Sequence, residues 1–311
     1  MKACGVVAAF ALCAIVGGAQ ERHCTVKPAA IPLGQTVRLR CDVEVVEAVL
    51  TPYGTGVTSD YRPILRKVAM FKQADGSWEG LMPIAVADPP GQYEIAINDW
   101  RVAHSPAVGA SGVSAQPPVM VSLTIKKTIF PTQNVTLAPS IEALHSTPEE
   151  MKTITGFRDA VSDVKYWEEP LEAPLPGCVI SPFGVARLHN GKPTGEFHGG
   201  IDQRGALGTP IHAAAAGVVK IVQPFNVLGG TVAIDHGQGL ETMYLHMSKL
   251  NVAVGDHVAK GAVIGYVGAT GRANGPHLHW VVYVNGVPQN PQQWVTGLKA
   301  CGAAAPAKKK S

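Results

Sequence analysis

Three short stretches in the C-terminal half concentrate residues able to hold a metal ion. They are Phe197-His198-Gly199-Gly200-Ile201-Asp202, Tyr244-Leu245-His246-Met247 and Gly275-Pro276-His277-Leu278-His279-Trp280. Together they supply a His-x-x-x-Asp pair, an isolated histidine and a His-x-His pair. Neutral imidazoles with one carboxylate form a donor set that zinc uses in hydrolytic sites, where three protein ligands leave a fourth position for water. Residues two apart on a strand share a face, so His277 and His279 are expected to project side by side into one groove. Only one of them need bind the ion; its neighbour is then close enough to handle protons. His198 and Asp202 would stand about 13 Å apart in an extended strand, too far to share an ion. Gly199-Gly200 permits a bend that folds one back toward the other. An isolated strand histidine is more often structural than a ligand. His189, His212, His236 and His257, at expected turns or strand ends, are read that way, with His236 as a turn residue.

The elements that must position these groups are expected to be mainly β. From Cys178 to about Val295 the chain reads as strand, turn, strand: Ala213–Val222 and Gly230–Asp235 as strands, Val252–Gly265 as a strand, a tight turn and another strand. This predicts a glycine-rich antiparallel domain over residues 176–297. Residues 20–137 alternate apolar and polar positions in short runs, such as Thr36–Cys41 and Gln92–Ile97, broken by Pro and Gly. That pattern predicts an antiparallel β-sandwich, immunoglobulin-like in outline, with a loop from Ser105 to Pro118. Between them, residues 138–175 are expected to be a helical linker. Thr147-Pro148-Glu149-Glu150 is a capping box with Pro at the first helical position. Met151, Ile154, Phe157, Val161 and Val164 follow at helical spacing as one apolar face. Trp167 to Pro176, with three prolines, reads as a hinge. Residues 298–311 read as a disordered basic tail.

A chain of 311 residues can hold two domains with separate cores. Residues 1–19 combine a basic start, a short apolar run and Gly17-Gly18-Ala19, the pattern of a cleaved secretory signal. That implies export to a periplasm or beyond, with no stable membrane insertion after cleavage. Cys24, Cys41, Cys178 and Cys301 remain, an even number suited to disulfides. Cys24 with Cys41 is favoured, because the residues between them read as a turn joining two strands. Cys178 and Cys301 bracket the second domain, and their connectivity stays open. The formal charge of +3 is too mild to argue for nucleic acid, though compatible with anionic wall polymers.

Residues from about 176 to 292 resemble the lysostaphin-type, or LytM-type, zinc metallopeptidases that hydrolyse murein. The likeness includes Ser181-Pro182-Phe183-Gly184, Arg187, Asn190, His198 to Asp202, Asp235-His236-Gly237, Tyr244-Leu245-His246 and Thr270-Gly271-Arg272 leading into Gly275 to Trp280. Phe130-Pro131 and Gln133 resemble, more weakly, the join found in exported members with an N-terminal β-domain. The resemblance implies Zn²⁺ held by His198, Asp202 and His279, with His246 and His277 as the catalytic pair. It implies a peptidoglycan peptide as substrate. The bond is left between glycyl-glycine and D-alanyl-diaminopimelate, leaning to the latter. The tyrosine that some members carry shortly before the first ligand is missing from Lys192 to Phe197; another group, with His246 as the candidate, must steady the transition state. A rival reading is an inactive wall-binding scaffold that activates another murein hydrolase. Such relatives lose ligands, whereas all five residues are present here. A second rival takes the hairpin around Gly255 to Gly265 as a lipoyl- or biotinyl-carrier element, but Lys260 lacks the flanking residues of one. The first domain is expected to bind wall or a regulatory partner, or to cover the groove.

Overall fold

Alternating strands separated by turn residues bury one face each, and two such sheets close over a shared core. The computed structural model describes residues 23–52, 66–98 and 118–302. The expected signal peptide, the body of the 105–118 loop and the end of the basic tail lie outside the described residues. One N-terminal sheet orders β1 (Cys24–Lys27), β3 (Thr36–Cys41), β7 (Trp78–Pro83) and β6 (Phe71–Lys72). The other orders β2 (Ala30–Pro32), β9 (Val119–Lys126), β8 (Gly91–Asn98), β4 (Glu47–Pro52) and β5 (Arg66–Ala69). Ile31, Val37, Leu50, Ile95 and Leu123 from both sheets meet in one core. Pairing is antiparallel except for β2 with β9, which run parallel, a departure from the expected all-antiparallel sandwich. Cys24 and Cys41 are register partners on β1 and β3 and form a disulfide. The residues between them are more than a turn, because β2 crosses to the other sheet.

In the C-terminal half, a central sheet orders β11 (Val179–Ser181), β14 (Ile201–Arg204), β22 (His277–Val284), β18 (Leu240–Met247), β17 (Gly229–Gly237), β16 (Gly217–Phe225) and β20 (His257–Val258), with β23 (Val287–Gln289) on β22. A small sheet orders β15 (Pro210–His212), β21 (Val263–Tyr266) and β19 (Lys249–Leu250). The expected Val252–Gly265 hairpin is therefore corrected. Its two strands, β20 and β21, belong to different sheets, and Lys260 Nζ donates to Pro170 O at 2.8 Å instead of standing free at a tip. One face of the central sheet buries Ile234, Tyr244, Leu278, Trp280 and Val282. The opposite face buries Ala233, Met243, Leu245 and Val281 beneath Phe157.

Four further expectations are corrected. β10 (Thr132–Val135), placed by sequence with the sandwich, pairs in parallel with β12 (Ala186–His189), which pairs in turn with β13 (Lys192–Phe197). The strand's backbone groups find their partners there and not in the sandwich sheets. After α1 (Pro139–Glu142), the predicted capping box opens α2 (Pro148–Arg158). That helix ends at Arg158, so Val161 and Val164 lie beyond it and are exposed, as is Met151; of the expected stripe only Ile154 and Phe157 reach the core. The 167–176 hinge is instead packed: Trp167, Leu171 and Leu175 are buried, and Leu171 bridges to Val295. Finally, order continues past 297, since Val179 bridges Ala300 and Cys178 is bonded to Cys301.

The two halves meet across a hydrogen-bonded seam. Thr36 N donates to Gln293 Oε1 and Gln293 Nε2 to Thr36 O, both at 2.7 Å, while Thr36 Oγ1 donates to buried Gln289. Gly34 has φ +77°, and a Cβ there would lie 2.2 Å from the Phe183 ring, so only glycine allows this approach. No helix among the described residues is long and apolar enough to cross a membrane.

Candidate metal centre

Asp202 and His279 are register partners on β14 and β22, and His279 faces Leu245 on β18. Strand alternation therefore places both donors on the groove face. The bend at Gly199-Gly200 brings His198 in from the end of β13. At Gly200 a Cβ would stand 2.3 Å from Trp280 O and 2.9 Å from His279 Nε2, so the approach itself needs glycine. His198 Nδ1 lies 2.8 Å from Pro182 O. A carbonyl only accepts, so Nδ1 carries the proton and Nε2 presents its lone pair. That Nε2 is 3.1 Å from Asp202 Oδ1 and 3.2 Å from His279 Nδ1, and the last two atoms are 3.2 Å apart. Three donors so spaced match corners around an ion roughly 2 Å from each. Two imidazole nitrogens and a carboxylate oxygen suit a divalent ion of borderline softness. Among the described residues, these three form a group able to hold a metal.

The other two histidines stand beside the triangle. The His246 and His277 ring centroids are 5.0 Å apart, and His246 lies 6.0 Å from His279. His246 Nδ1 meets Thr270 O at 2.8 Å and His277 Nδ1 meets Gly275 O at 2.8 Å. By the same reasoning each ring keeps Nε2 as a free acceptor. His277 Nε2 is 3.8 Å from Asp202 Oδ1. Alternation along β18 would turn His246 to the face of Tyr244, away from the groove. Its φ of +60° breaks that alternation and swings it to the metal side. A non-glycine residue in this region is strained and is held by its surroundings. Here those are the Thr270 carbonyl and backbone bonds to Leu228 and Thr270.

Burial pushes the Asp202 carboxyl up, but the neighbouring charge and hydrogen bonds of His198 and His279 outweigh it and hold it well below the ordinary range. Burial, followed by repulsion from His279 and His277, lowers His246 to about 3. Burial lowers His279 to about 4, opposed by its bond to Asp202. An ionised Asp202 carboxylate, with His279 drawn toward its neutral form, is the protonation state that metal binding requires. Arg187 Nη2 donates to the other Asp202 oxygen at 2.9 Å, and Ser181 Oγ sits 3.3 Å from His198 Nδ1 while donating to Gln133 Oε1. Sequence reasoning named Arg187, Ser181 and Gln133 only as family likenesses, without roles. Their signal is spatial, not sequential.

The groove has a volume of about 430 Å³. Its walls carry Gln133, Arg187 and His189 on one side and Val227 and Arg272 on the other. The segment from Leu137 to Glu150 is bonded to both sides: Leu137 and Glu142 to Asn190, Leu144 O to Arg272, and His145 O and Glu150 to Asn226. A larger cavity of about 630 Å³ lies along residues 165–169 at the sandwich. Within it Arg38 is paired with Glu169 and Arg40 with Glu79, and none of the histidines lines it. The remaining strand histidines are structural. His212 Nδ1 binds Gly261 O, and His257 packs edge-on to Tyr166. His236 is not a turn residue but lies fully buried in β17, with Ala216 O on one nitrogen and Thr242 Oγ1 on the other. His189 lines the groove wall outside the metal triangle.

Residues 196–291 match the sequence model of Peptidase family M23, and the chain carries a domain of that family. Two curated relatives are similar over this part. "DD-carboxypeptidase/endopeptidase Mpg" of Neisseria meningitidis is 44% identical over 113 residues, covering 36% of this chain and 26% of the relative. "Peptidoglycan DD-endopeptidase ShyA" of Vibrio cholerae is 39% identical over 112 residues, with the same coverage of 36% and 26%. The match thus spans about a quarter of the length of these relatives. A peptidase M23 crystal structure from Pseudomonas aeruginosa is similar over 83% of this chain and 92% of its own, with a TM-score of 0.57 and 25% identity.

Proposed function

We propose that this chain is a zinc-dependent endopeptidase that hydrolyses peptide cross-links of bacterial peptidoglycan. The observation that carries this reading is the convergence of His198 Nε2, Asp202 Oδ1 and His279 Nδ1 beside two imidazoles with free acceptors. His198, Asp202 and His279 would hold the ion. When bound there, Zn²⁺ supplies a water whose pKa falls toward 7 and polarises the scissile carbonyl. His246 and His277 are the proton carriers: the Nε2 of either ring can take the proton of the attacking water and, once protonated, donate it to the oxyanion and then to the leaving amine. Arg187 keeps the Asp202 carboxylate oriented, and Pro182 O keeps the His198 ring turned inward.

Residues 176–297 are the peptidase unit in this reading. Residues 1–19 are a leader for export, and the sandwich faces the wall or a regulatory partner. The names of the relatives support peptidoglycan as the substrate and a DD-type bond, with which the D-alanyl-diaminopimelate cross-link favoured from the sequence is compatible. The presence of all five site residues favours hydrolysis over an inactive scaffold. Zinc-loaded full chain incubated with defined cross-linked muropeptides is expected to give monomers by mass spectrometry. His246→Ala is expected to slow this by about 10²–10⁴-fold with zinc content unchanged. A zinc-bound wild type that leaves every cross-linked muropeptide intact would return the scaffold reading.

A further inference from the structure

Arg272 lines the groove yet plays no part in the chemistry described above. Its backbone N donates to Val227 O at 2.8 Å, and it follows Gly271, whose φ of +71° sets the turn. Two residues earlier, Thr270 O orients His246. The side chain is therefore presented by the same rigid turn that aims a catalytic ring. Among the described residues its guanidinium has one hydrogen-bond partner, Leu144 O, reached through Nη2. The Nε atom is buried with no acceptor. Among the described residues no carboxylate lies within ion-pairing distance of it, whereas the neighbouring Arg187 is paired with Asp202 at 2.9 Å. A half-buried guanidinium whose buried Nε has no acceptor is costly unless an anion completes it, and its planar fork matches a carboxylate.

The charge balance of the wall agrees. Burial, then Arg272 and Arg187, lower the pKa of His189, against weaker opposition from Glu196 and Glu142. Glu142 is already bonded by Asn190, and Glu196 is exposed. Arg272 and His189 both line the groove, and the net positive field there suits a negative group.

We infer that Arg272 is a specificity-determining residue that docks a free carboxylate carried by the substrate next to the scissile amide. This deepens the proposed endopeptidase reading and rests on it. A D-alanyl-diaminopimelate cross-link has such a group, since the acylated amine sits on a carbon that also bears a carboxylate. A glycine bridge carries an amide in that place. The substrate class selected is therefore a direct cross-link with its carboxylate unmodified.

The test compares two synthetic cross-linked peptides, one with that carboxylate free and one with it as a carboxamide. Cleavage is measured on zinc-loaded full chain, and binding is measured by calorimetry on metal-free full chain. Wild type is expected to favour the free carboxylate by about ten- to a hundredfold in kcat/KM and in affinity. Arg272→Gln is expected to treat both peptides alike, at the wild-type carboxamide level, and Arg272→Lys to recover part of the preference. Zinc content and melting temperature of both variants are checked against wild type. Equal handling of the two peptides by wild type, or an equal loss on both in Arg272→Gln, overturns the inference. Carboxylate-selective binding that Arg272→Gln abolishes, without any cleavage, supports Arg272 as the docking residue and instead sinks the endopeptidase reading.

Discussion

The sandwich and the central sheet are built from similar alternating strands, but they enclose different side chains. Around Ile31, Leu50, Ile95 and Leu123, the polar residues buried in the described sandwich are Thr36, Thr51, Ser77 and Asp88. The central sheet and its flanks bury His198, Asp202, Asp235, His236, Glu241, His246 and His277. Enclosed polar groups cost stability unless their hydrogen bonds are met, so such a concentration needs a reason. Two histidines show how to read it. His236 and His198 both give Nδ1–H to a carbonyl, at 2.8 Å in each case. The second nitrogen of His236 ends on Thr242 Oγ1, and nothing is left over. The second nitrogen of His198 instead points at Asp202 Oδ1 and His279 Nδ1, a convergence that an ion would complete. A closed set of bonds marks a structural group; converging lone pairs mark a binding site.

Glu241 fits neither pattern and offers the sharpest way to break the comparison. Both its carboxylate oxygens are buried without a partner, and burial, then Asp235, push its pKa to about 9. The unfolded carboxyl ionises near 4.5. Stability from this group is therefore fully present below pH 4.5 and is lost as pH rises toward 9. Glu241→Gln is expected to remove that slope and to raise stability at pH 7 by up to about 3 kcal/mol, read from urea melts at pH 5, 7 and 8.5. A variant with the wild-type slope would show that the carboxyl ionises freely, and the contrast between the regions would weaken.

Arg187→Gln tests the site end of the sheet. Zinc affinity, measured by competition with a chelator, is expected to fall by about 10–100-fold while the metal-free melting temperature holds. Unchanged affinity would make the bond to Asp202 incidental. The smallest effect is expected at the helix cap: Thr147→Ala should cost about 1 kcal/mol, measured by thermal melts, and leave zinc content alone. Loss of metal in that variant would mean that α2 supports the site as well as the apolar face beneath it.

The strand alternation that put His277 and His279 on one face was readable from spacing, as was the glycine bend between His198 and Asp202. The capping box of α2 was equally plain, because cap chemistry is local. What escaped the sequence depends on contacts made elsewhere. The apolar spacing from Met151 to Val164 looked continuous, but the chain leaves the helix at Arg158 and turns extended, with Ser162 O accepting from Gln238 N and Tyr166 N donating to His236 O of β17. The prolines from 170 to 176 suggested a hinge, while Trp167, Leu171 and Leu175 use the same stretch as core. The left-handed backbone at His246 has no sequence signature, and neither does the side on which Arg187 finds Asp202.

The parallel ladder of β10 and β12 ties the sandwich's outgoing chain to the floor of the histidine-lined groove. Gln133 lies opposite Arg187 in that ladder and also accepts the hydroxyl of Ser181. One residue on the leash between the halves therefore leans on the neighbours of two of the proposed metal ligands, Asp202 and His198. Sliding the sandwich along its seam by a single rung would tug on both, so the first half acts as a lever resting on the second and cannot be treated as detachable cargo.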